Sequence, residues 1–578
     1  MNAFEHIHTT LETLAGGAGY TLETPADIRH GDYATNIALV LAKERRVAPK
    51  TLAEEFVRDL QASLSSYVEK IVVAGPGFIN FFLTQRALQE MNQGREVTVS
   101  LRHKNVLVEH SSPNLFKPFH IGHLMNNIVG EFVARAVKRG GAETQTLCFP
   151  SDISFGIAKA VYVWKKDRDE GVTSSVLSMD EKEAVEYFGT CYVRGVALAK
   201  ENPELEREIR DVAKKLFDEI DGGVRIGSEE YDLWSQAKVI NTKYFSHVLE
   251  SIGSHMGKTI FESEVSSVGL SLVRENIGKV FTESEGAVVY IPNEERKDIN
   301  VSVFINSEGH PTYEAKDLGL IYKKFSEYKG EKGQVDLSYF ITDNEQSHHF
   351  KVVLDAGSKI NNEWKTWTQR SIHVPHGRML FKGQKMSSRL GGVPLALDVI
   401  GVIEEEVRER SSDKIAHLSE EEKAKLVRDV ALSALRVAVL RSKPGLNINF
   451  DPEVSLSFEG DSGPYLMYTH ARASSVFDKG LSQGISPLYK EGNSREFERV
   501  LIHYEEVLTE VIETLAPQKL VSYLFSVAQA FNSYYASQQI LVEDDDVGNA
   551  HRLAVVKRVK HILKDGLSIL GCSAPERM

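Results

Sequence analysis

The chain has 578 residues, about four times an average domain, which excludes a single small domain and predicts at least three packed units. With 42% hydrophobic and 26% charged residues, 42 Gly and 17 Pro, it is neither disordered nor collagen-like. A net charge of −13, from 68 Lys plus Arg against 81 Asp plus Glu, excludes general basic character, so a nucleic-acid partner would have to meet a local basic stripe.

Residues 1–95 read as a small mixed unit. An amphipathic helix opens it, the turn-rich HGDYATN follows, and a helix runs from Ile37 to Lys43. Gly75-Pro76-Gly77 then turns the chain into a strand from Phe78 to Leu83. The polar QGREVTVSLRHK marks a linker. From Asn105 the β-rich VLVEH, the loop SSPNLFKPF, a helical period carrying Ile121, Leu124, Ile128 and Phe132, and the β-rich ETQTLCF after Gly140-Gly141 form a βαβ unit. Such a unit implies a parallel sheet with ligands at the carboxyl ends of its strands. Residues from 165 to about 310 hold charged amphipathic helices such as ELEREIRDVAKKLFDEI, then the strands VVYI and VSVFI, and read as an insertion. The α/β pattern resumes at Thr312, with QVDLSYFIT as a buried strand, and beyond Leu395 the period is helical.

No apolar run reaches the roughly eighteen residues that cross a bilayer, and MNAFEHIHTT has no export pattern, so a cytosolic protein is expected. The three cysteines, Cys148, Cys191 and Cys572, are too few and scattered for a disulfide framework or a four-thiolate zinc site, and read as reduced structural thiols.

His120-Ile121-Gly122-His123 stands where a loop after a strand enters a helix. A helix start offers unpaired N–H groups and partial positive charge to phosphate oxygens, two imidazoles three apart can donate to charge growing on a transferring phosphate, and Gly122 leaves room for a flat base. A zinc-chelating pair or two capping histidines would use the same letters. The second signal is Gly383-Gln384-Lys385-Met386-Ser387-Ser388-Arg389, a glycine-led basic loop whose lysine and hydroxyls suit a triphosphate, though a plain surface loop has the same composition.

HIGH followed by KMSS resembles the signature of class I aminoacyl-tRNA synthetases. Glu109-His110-Ser111-Ser112-Pro113-Asn114, Lys117-Pro118-Phe119, Thr312-Tyr313-Glu314-Ala315-Lys316-Asp317, and Gln346 with His349-Phe350 narrow the resemblance to arginyl-tRNA synthetases. GPYLMYTHARASS and PERM look like that family's anticodon-binding domain; HGDYATN and GPGFIN look like its N-terminal domain. The resemblance implies an α/β chain: an α+β N-terminal domain touching the tRNA elbow (1–95), a Rossmann-type catalytic domain with an insertion at about 165–310 (96–395), and an all-α anticodon-binding domain (396–578). It implies ATP, with magnesium, and L-arginine as substrates, tRNA(Arg) as partner, and a monomer.

For ATP the implied residues are His120, Gly122, His123 and Lys117, with Lys385, Met386, Ser387, Ser388 and Arg389 in the loop. The loop reads KMSSR, so Arg389 takes the place of a second lysine, and PSDISFG keeps Asp152 but departs from the family's usual pattern there. An arginine pocket needs carboxylates, because a guanidinium pairs best with a carboxylate fork. The resemblance gives Glu109, Tyr313 and Asp317 to the guanidinium, and Asn114 and Gln346 to the α-amino and carboxyl end; Tyr313 and Asp317, four apart, share a helix face. Without the resemblance, Asp317 reads first as an exposed partner of Lys316 or Lys323.

For tRNA the candidates are Asn80 and Phe82 at one end, and Arg552, Lys557, Lys560, His561 and Lys564 at helical spacing at the other, near the aromatics Tyr468, Phe531, Tyr534 and Tyr535. Those aromatics read first as core, Phe82 is equally readable as core, and the lysines equally as a solvated face. Rival functions are a class I synthetase for cysteine or glutamine, a small-molecule nucleotidylyltransferase, which would not need a helical domain after KMSS, and a non-catalytic tRNA-binding relative, which would not need intact His120, His123 and Lys385.

Overall fold

The computed structural model describes residues 2–578 apart from 26, 96, 98, 100, 173–175, 222–226, 256, 331–332, 382–393 and 491–494. At its centre lies a five-stranded sheet in the spatial order Ser371–His376, Leu337–Asp343, Asn105–Glu109, Glu143–Cys148, Lys258–Thr259, with every pairing parallel. In Asn105–Glu109 all five residues are buried, as expected of a strand covered on both faces. The chain starts in this middle strand, builds outward on one side, and crosses back to add Leu337–Asp343 on the other. The crevice between the two strands, at their carboxyl ends, is therefore the topological switch point where ligands of such sheets bind.

The helix Ile121–Arg139 covers this sheet, and the apolar period read in the sequence, Ile121, Leu124, Ile128 and Phe132, is buried along it. Helices Phe155–Asp169, Glu181–Glu201, Pro203–Asp221 and Glu229–Ser251 form the inserted helical layer. The insertion is not continuous. Lys258–Thr259 returns to the main sheet beside Leu147 and Cys148 before Glu262–Glu275 and the small antiparallel sheet of Phe281–Ser284, Ala287–Tyr290 and Ser302–Ile305. A two-residue strand leaves no period in a sequence, which is why one unbroken insertion was expected.

The N-terminal unit is a four-stranded antiparallel sheet, including Phe78–Leu83 as expected, packed against Ala3–Ala15, Ile37–Arg45 and Pro49–Ser63 around its own core. Among the described residues beyond Leu395 the elements are helical apart from Ile448–Phe450, a short strand pairing in parallel with Met379–Phe381 of the preceding α/β part. The three cysteines are free and buried. Among the described residues no helix is long and apolar enough to cross a membrane.

Candidate active site

The loop between Glu109 and His120 takes two turns unusual for residues with side chains: Ser111 and Phe116 have φ of 56° and 63°. Asparagine side chains hold both turns. Asn126 Oδ1 accepts from the Ser111 N–H at 2.6 Å, Asn127 Nδ2 donates to Ser111 Oγ at 2.9 Å, and Asn241 Oδ1 accepts from the Phe116 N–H at 3.0 Å. Asn126 also donates to the Ile341 carbonyl at 2.6 Å, tying the helix to the strand across the crevice. None of the three was singled out in the sequence. The available signal was a pair of poor helix formers, Asn126-Asn127, inside a helical period.

His120 is the N-cap of Ile121–Arg139 and His123 completes a capping box. His120 Nδ1 accepts the Gly122 N–H at 3.1 Å, His123 Nδ1 accepts the His120 N–H at 3.3 Å, and the rings stack at 3.8 Å. Burial, reinforced by the Lys117 charge, lowers the pKa of His120, and burial holds His123 well below its ordinary value. A neutral imidazole whose Nδ1 accepts carries its proton on Nε2, so each ring keeps one N–H for donation. Capping was one alternative to catalysis, and here it sets the tautomer that a phosphate donor needs. A Cβ on Gly122 would lie 3.0 Å from the His120 ring, so the glycine makes room for that ring as well as for any base.

The residues that follow the segment holding KMSS lie beside this helix start. Leu395 bridges His120, the Ile121 N–H donates to the Pro394 carbonyl at 3.0 Å, and the Ala396 N–H to the Phe119 carbonyl at 2.9 Å. On the entering side, Met379–Phe381 follows the strand whose last residue, His376, is buried near His123. Lys385, Met386, Ser387, Ser388 and Arg389 lie outside the described residues. Lys117 rests its ammonium 4.2 Å above the ring of Tyr192, which the inserted helix Glu181–Glu201 supplies.

Across the crevice, Glu109 ends the middle strand and is ion-paired with buried Lys324; burial raises the Glu109 pKa against that pairing. Tyr313 and Asp317 share the helix Tyr313–Tyr322. The Tyr313 hydroxyl meets Ser151, which forms a bridge with Asn114. Asp317 pairs with neither Lys316 nor Lys323. Lys316 is buried against Glu262 at 2.8 Å, Lys323 lies 3.8 Å from Glu264, and Asp317 meets His349 at 2.5 Å. Gln346 is exposed at the start of Ser347–Ser358. Asp152 is fully buried, bonded to the Ser263 N–H at 2.9 Å and to Lys238 at 2.6 Å, so it fixes the start of Glu262–Glu275. Among the described residues no group of three or more His, Cys, Asp or Glu side chains is placed to hold a metal ion.

The tRNA candidates are scattered. Asn80 is buried, and Phe82 lies between Lys70 and Arg499, at 5.6 and 5.5 Å from its ring. Arg552 pairs with Asp545, Lys560 and Lys564 with Glu576, while Lys557 and His561 are exposed. Phe531 and Tyr534 are core, whereas Tyr468 and Tyr535 flank Arg472 at 4.8 and 5.1 Å.

Comparison with known proteins gives the family of each part of the chain. Residues 84–451 match the family described as tRNA synthetases class I (R), catalytic domain; residues 4–83 match the arginyl tRNA synthetase N terminal domain, and residues 466–578 the DALR anticodon binding domain. An arginine–tRNA ligase of Exiguobacterium sibiricum is 30% identical over 578 residues, spanning 96% of this chain and 95% of its own. One from Clostridium perfringens is 27% identical over 592 residues, spanning 99% and 98%. The Thermus thermophilus arginyl-tRNA synthetase has the same fold, with a TM-score of 0.77 at 24% identity over 99% of each chain. With the catalytic family covering well over half of its length, this chain belongs to the class I arginyl-tRNA synthetases.

Proposed function

We propose that this synthetase activates L-arginine at the switch point of its parallel sheet and passes it to tRNA(Arg). In the first step the arginine carboxylate attacks the α-phosphorus of ATP, a new P–O bond forms and pyrophosphate leaves. In the second a ribose hydroxyl at the 3′ end of the tRNA attacks the arginyl carbonyl, and AMP leaves. Magnesium enters with the triphosphate as part of that substrate. The protein forms no bond to either reactant, so placement and charge stabilisation carry the rate.

The observation that carries this reading is the convergence at the start of Ile121–Arg139: two neutral imidazoles whose Nδ1 atoms are taken up in capping, leaving Nε2–H to donate, and the residues directly after the KMSS segment, Pro394 and Ala396, hydrogen-bonded to the backbone of Ile121 and Phe119. His120, His123 and Lys117 meet the phosphates, the Gly122 backbone meets the base, and Lys385, Met386, Ser387, Ser388 and Arg389 close over the triphosphate. Glu109, Tyr313 and Asp317 hold the guanidinium, with Asn114 and Gln346 at the α-amino and carboxyl end. In this reading residues 1–95 face the tRNA elbow through half-buried Phe82, while Asn80 is buried and supports that strand without touching tRNA. Residues 396–578, through Arg552, Lys557, Lys560 and Lys564, face the anticodon arm, and 96–395 hold the chemistry. The enzyme works as a monomer in the cytoplasm.

Amino-acid-dependent ATP–pyrophosphate exchange with each of the twenty amino acids, with and without total tRNA, tests the reading. Exchange with arginine alone among them is expected. Exchange with cysteine or glutamine, or none with arginine when tRNA is present, would overturn it.

A further inference from the structure

We propose that His349 is a positioning residue for the amino acid, holding one oxygen of Asp317 so that the rest of the carboxylate is presented to the substrate's guanidinium. The inference rests on Asp317 being the guanidinium partner. His349 sits in the first turn of Ser347–Ser358, with Nε2 2.5 Å from Asp317 Oδ2 and Nδ1 3.7 Å from Glu314 Oε1. All three side chains are largely buried, at 23%, 16% and 21% exposure. Nε2 is hydrogen-bonded to Asp317 and Nδ1 faces Glu314 as a looser charge contact, and carboxylates on both sides favour the ring that carries two protons. The two carboxylates outweigh the cost of burial and raise the His349 pKa to about 10.

Charge explains why an imidazolium is needed there. Glu314 and Asp317, three apart on one helix, repel each other when both are ionised. Neither nearby lysine offsets them: Lys316 is committed to Glu262 and the Ile153 carbonyl, and Lys323 lies by Glu264. Glu109, close enough for Asp317 to raise its pKa, already has Lys324. Three carboxylates thus face two resident cations, His349 and Lys324, which leaves one negative charge for one guanidinium. A carboxylate offers about four lone-pair sites, of which His349 takes one, so a two-pronged guanidinium still fits.

The ring is also held in place. Phe350 meets it edge-on at 5.0 Å, and Phe350 packs in turn on His373 of the strand Ser371–His376 at 5.1 Å. His373 also titrates on this side, and burial, with the charges of His376 and His349, lowers its pKa to about 4. His349 therefore stays charged, and His373 neutral, across the neutral range.

The test is steady-state arginine activation by the whole enzyme with its tRNA, comparing wild type, His349→Gln and Asp317→Asn. For His349→Gln the arginine KM should rise roughly tenfold to a hundredfold, the range for losing one charge-assisted hydrogen bond, with the ATP KM within about twofold. In wild type the arginine KM, relative to that of His349→Gln at each pH, should stay low from pH 6 to 8.5 and climb as pH passes about 10, where the ring loses its proton. A merely structural role would not produce that pH-dependent difference. An unchanged arginine KM in His349→Gln, or equal rises for arginine and ATP, overturns the inference. If Asp317→Asn itself leaves the arginine KM unchanged, the guanidinium reading fails, and that result is distinct from an effect of Asp317→Asn without one of His349→Gln.

Discussion

At the start of Ile121–Arg139 each imidazole has a structural task and a free donor, and the two can be separated by substitution. Asparagine is among the better N-caps, so His120→Asn should keep the helix start while removing the Nε2–H. The expected result is a loss of about 10²–10³ in kcat for arginine activation, the cost of one preorganised donor, with little change in thermal unfolding. His120→Ala should add about 1 kcal/mol of destabilisation from the lost cap, read from denaturant unfolding. The burial of His110, His123, His373 and His376 also has a sign. Each folded-state pKa is lowered, so the unfolded chain binds more protons below about pH 6.5 and stability should fall there as pH drops, before the carboxylates titrate. His349, with its raised pKa, runs the other way: its contribution is complete below about pH 6.5 and is lost as pH rises through about 10. Denaturation midpoints between pH 7 and 5.5 check the first window, and a flat profile there would contradict it. At this scale the sequence marked candidate letters for the chemistry but not their partners. His349 reaches Asp317 from 32 positions away, where Ser347–Ser358 packs on Tyr313–Tyr322.

One element that joins the catalytic part to the helical domain is the pairing of Met379–Phe381 with Ile448–Phe450. Around it the Ile448 N–H donates to the Arg378 carbonyl at 2.8 Å, the Arg378 N–H to Asn447 at 2.9 Å, and Asn344 to the Gly445 carbonyl at 2.9 Å. Gly377 permits this approach, since a Cβ there would lie 2.0 Å from the Leu446 carbonyl oxygen. Gly377→Ala must push the two segments apart directly upstream of the KMSS segment. Arginine activation should therefore drop by at least about tenfold, because a shift of about 1 Å in placing a reactant costs rate steeply. Pre-steady-state exchange measured beside thermal unfolding checks this, and full activity in a folded Gly377→Ala protein would count against the coupling. Neither this three-residue strand nor Lys258–Thr259 was legible, since both are shorter than the window over which period is readable. The longer elements, Ile121–Arg139, Phe78–Leu83 and Leu337–Asp343, were legible because their apolar spacing is set by burial against the sheet or its covering helices.

Across the whole molecule, the first and last parts of the chain are in contact, which the sequence could not show for residues more than 400 positions apart. Asp32, 1% exposed, accepts from Arg499 at 2.6 Å and from the Leu83 N–H at 2.7 Å. Tyr33 donates to Glu506 at 2.7 Å, and Gln85 to Glu498 at 2.7 Å. Removing one partner of a buried ion pair leaves the other charge uncompensated, so Asp32→Ala should cost about 3–5 kcal/mol. Limited proteolysis should then cut between residues 84 and 104, where the N-terminal unit joins the rest, and an unchanged digestion pattern would contradict the latch. The overall reading rests on a division of labour at the carboxyl edge of one sheet, with the helix start serving ATP and the Asp317 recess selecting the amino acid. The steady-state kinetics of Asp317→Asn test it most directly. The account predicts an arginine KM raised by roughly 10–100-fold, for loss of a charge-assisted pair, with the ATP KM within about twofold of wild type. Equal rises for the two substrates, or an arginine KM that does not move, would contradict it.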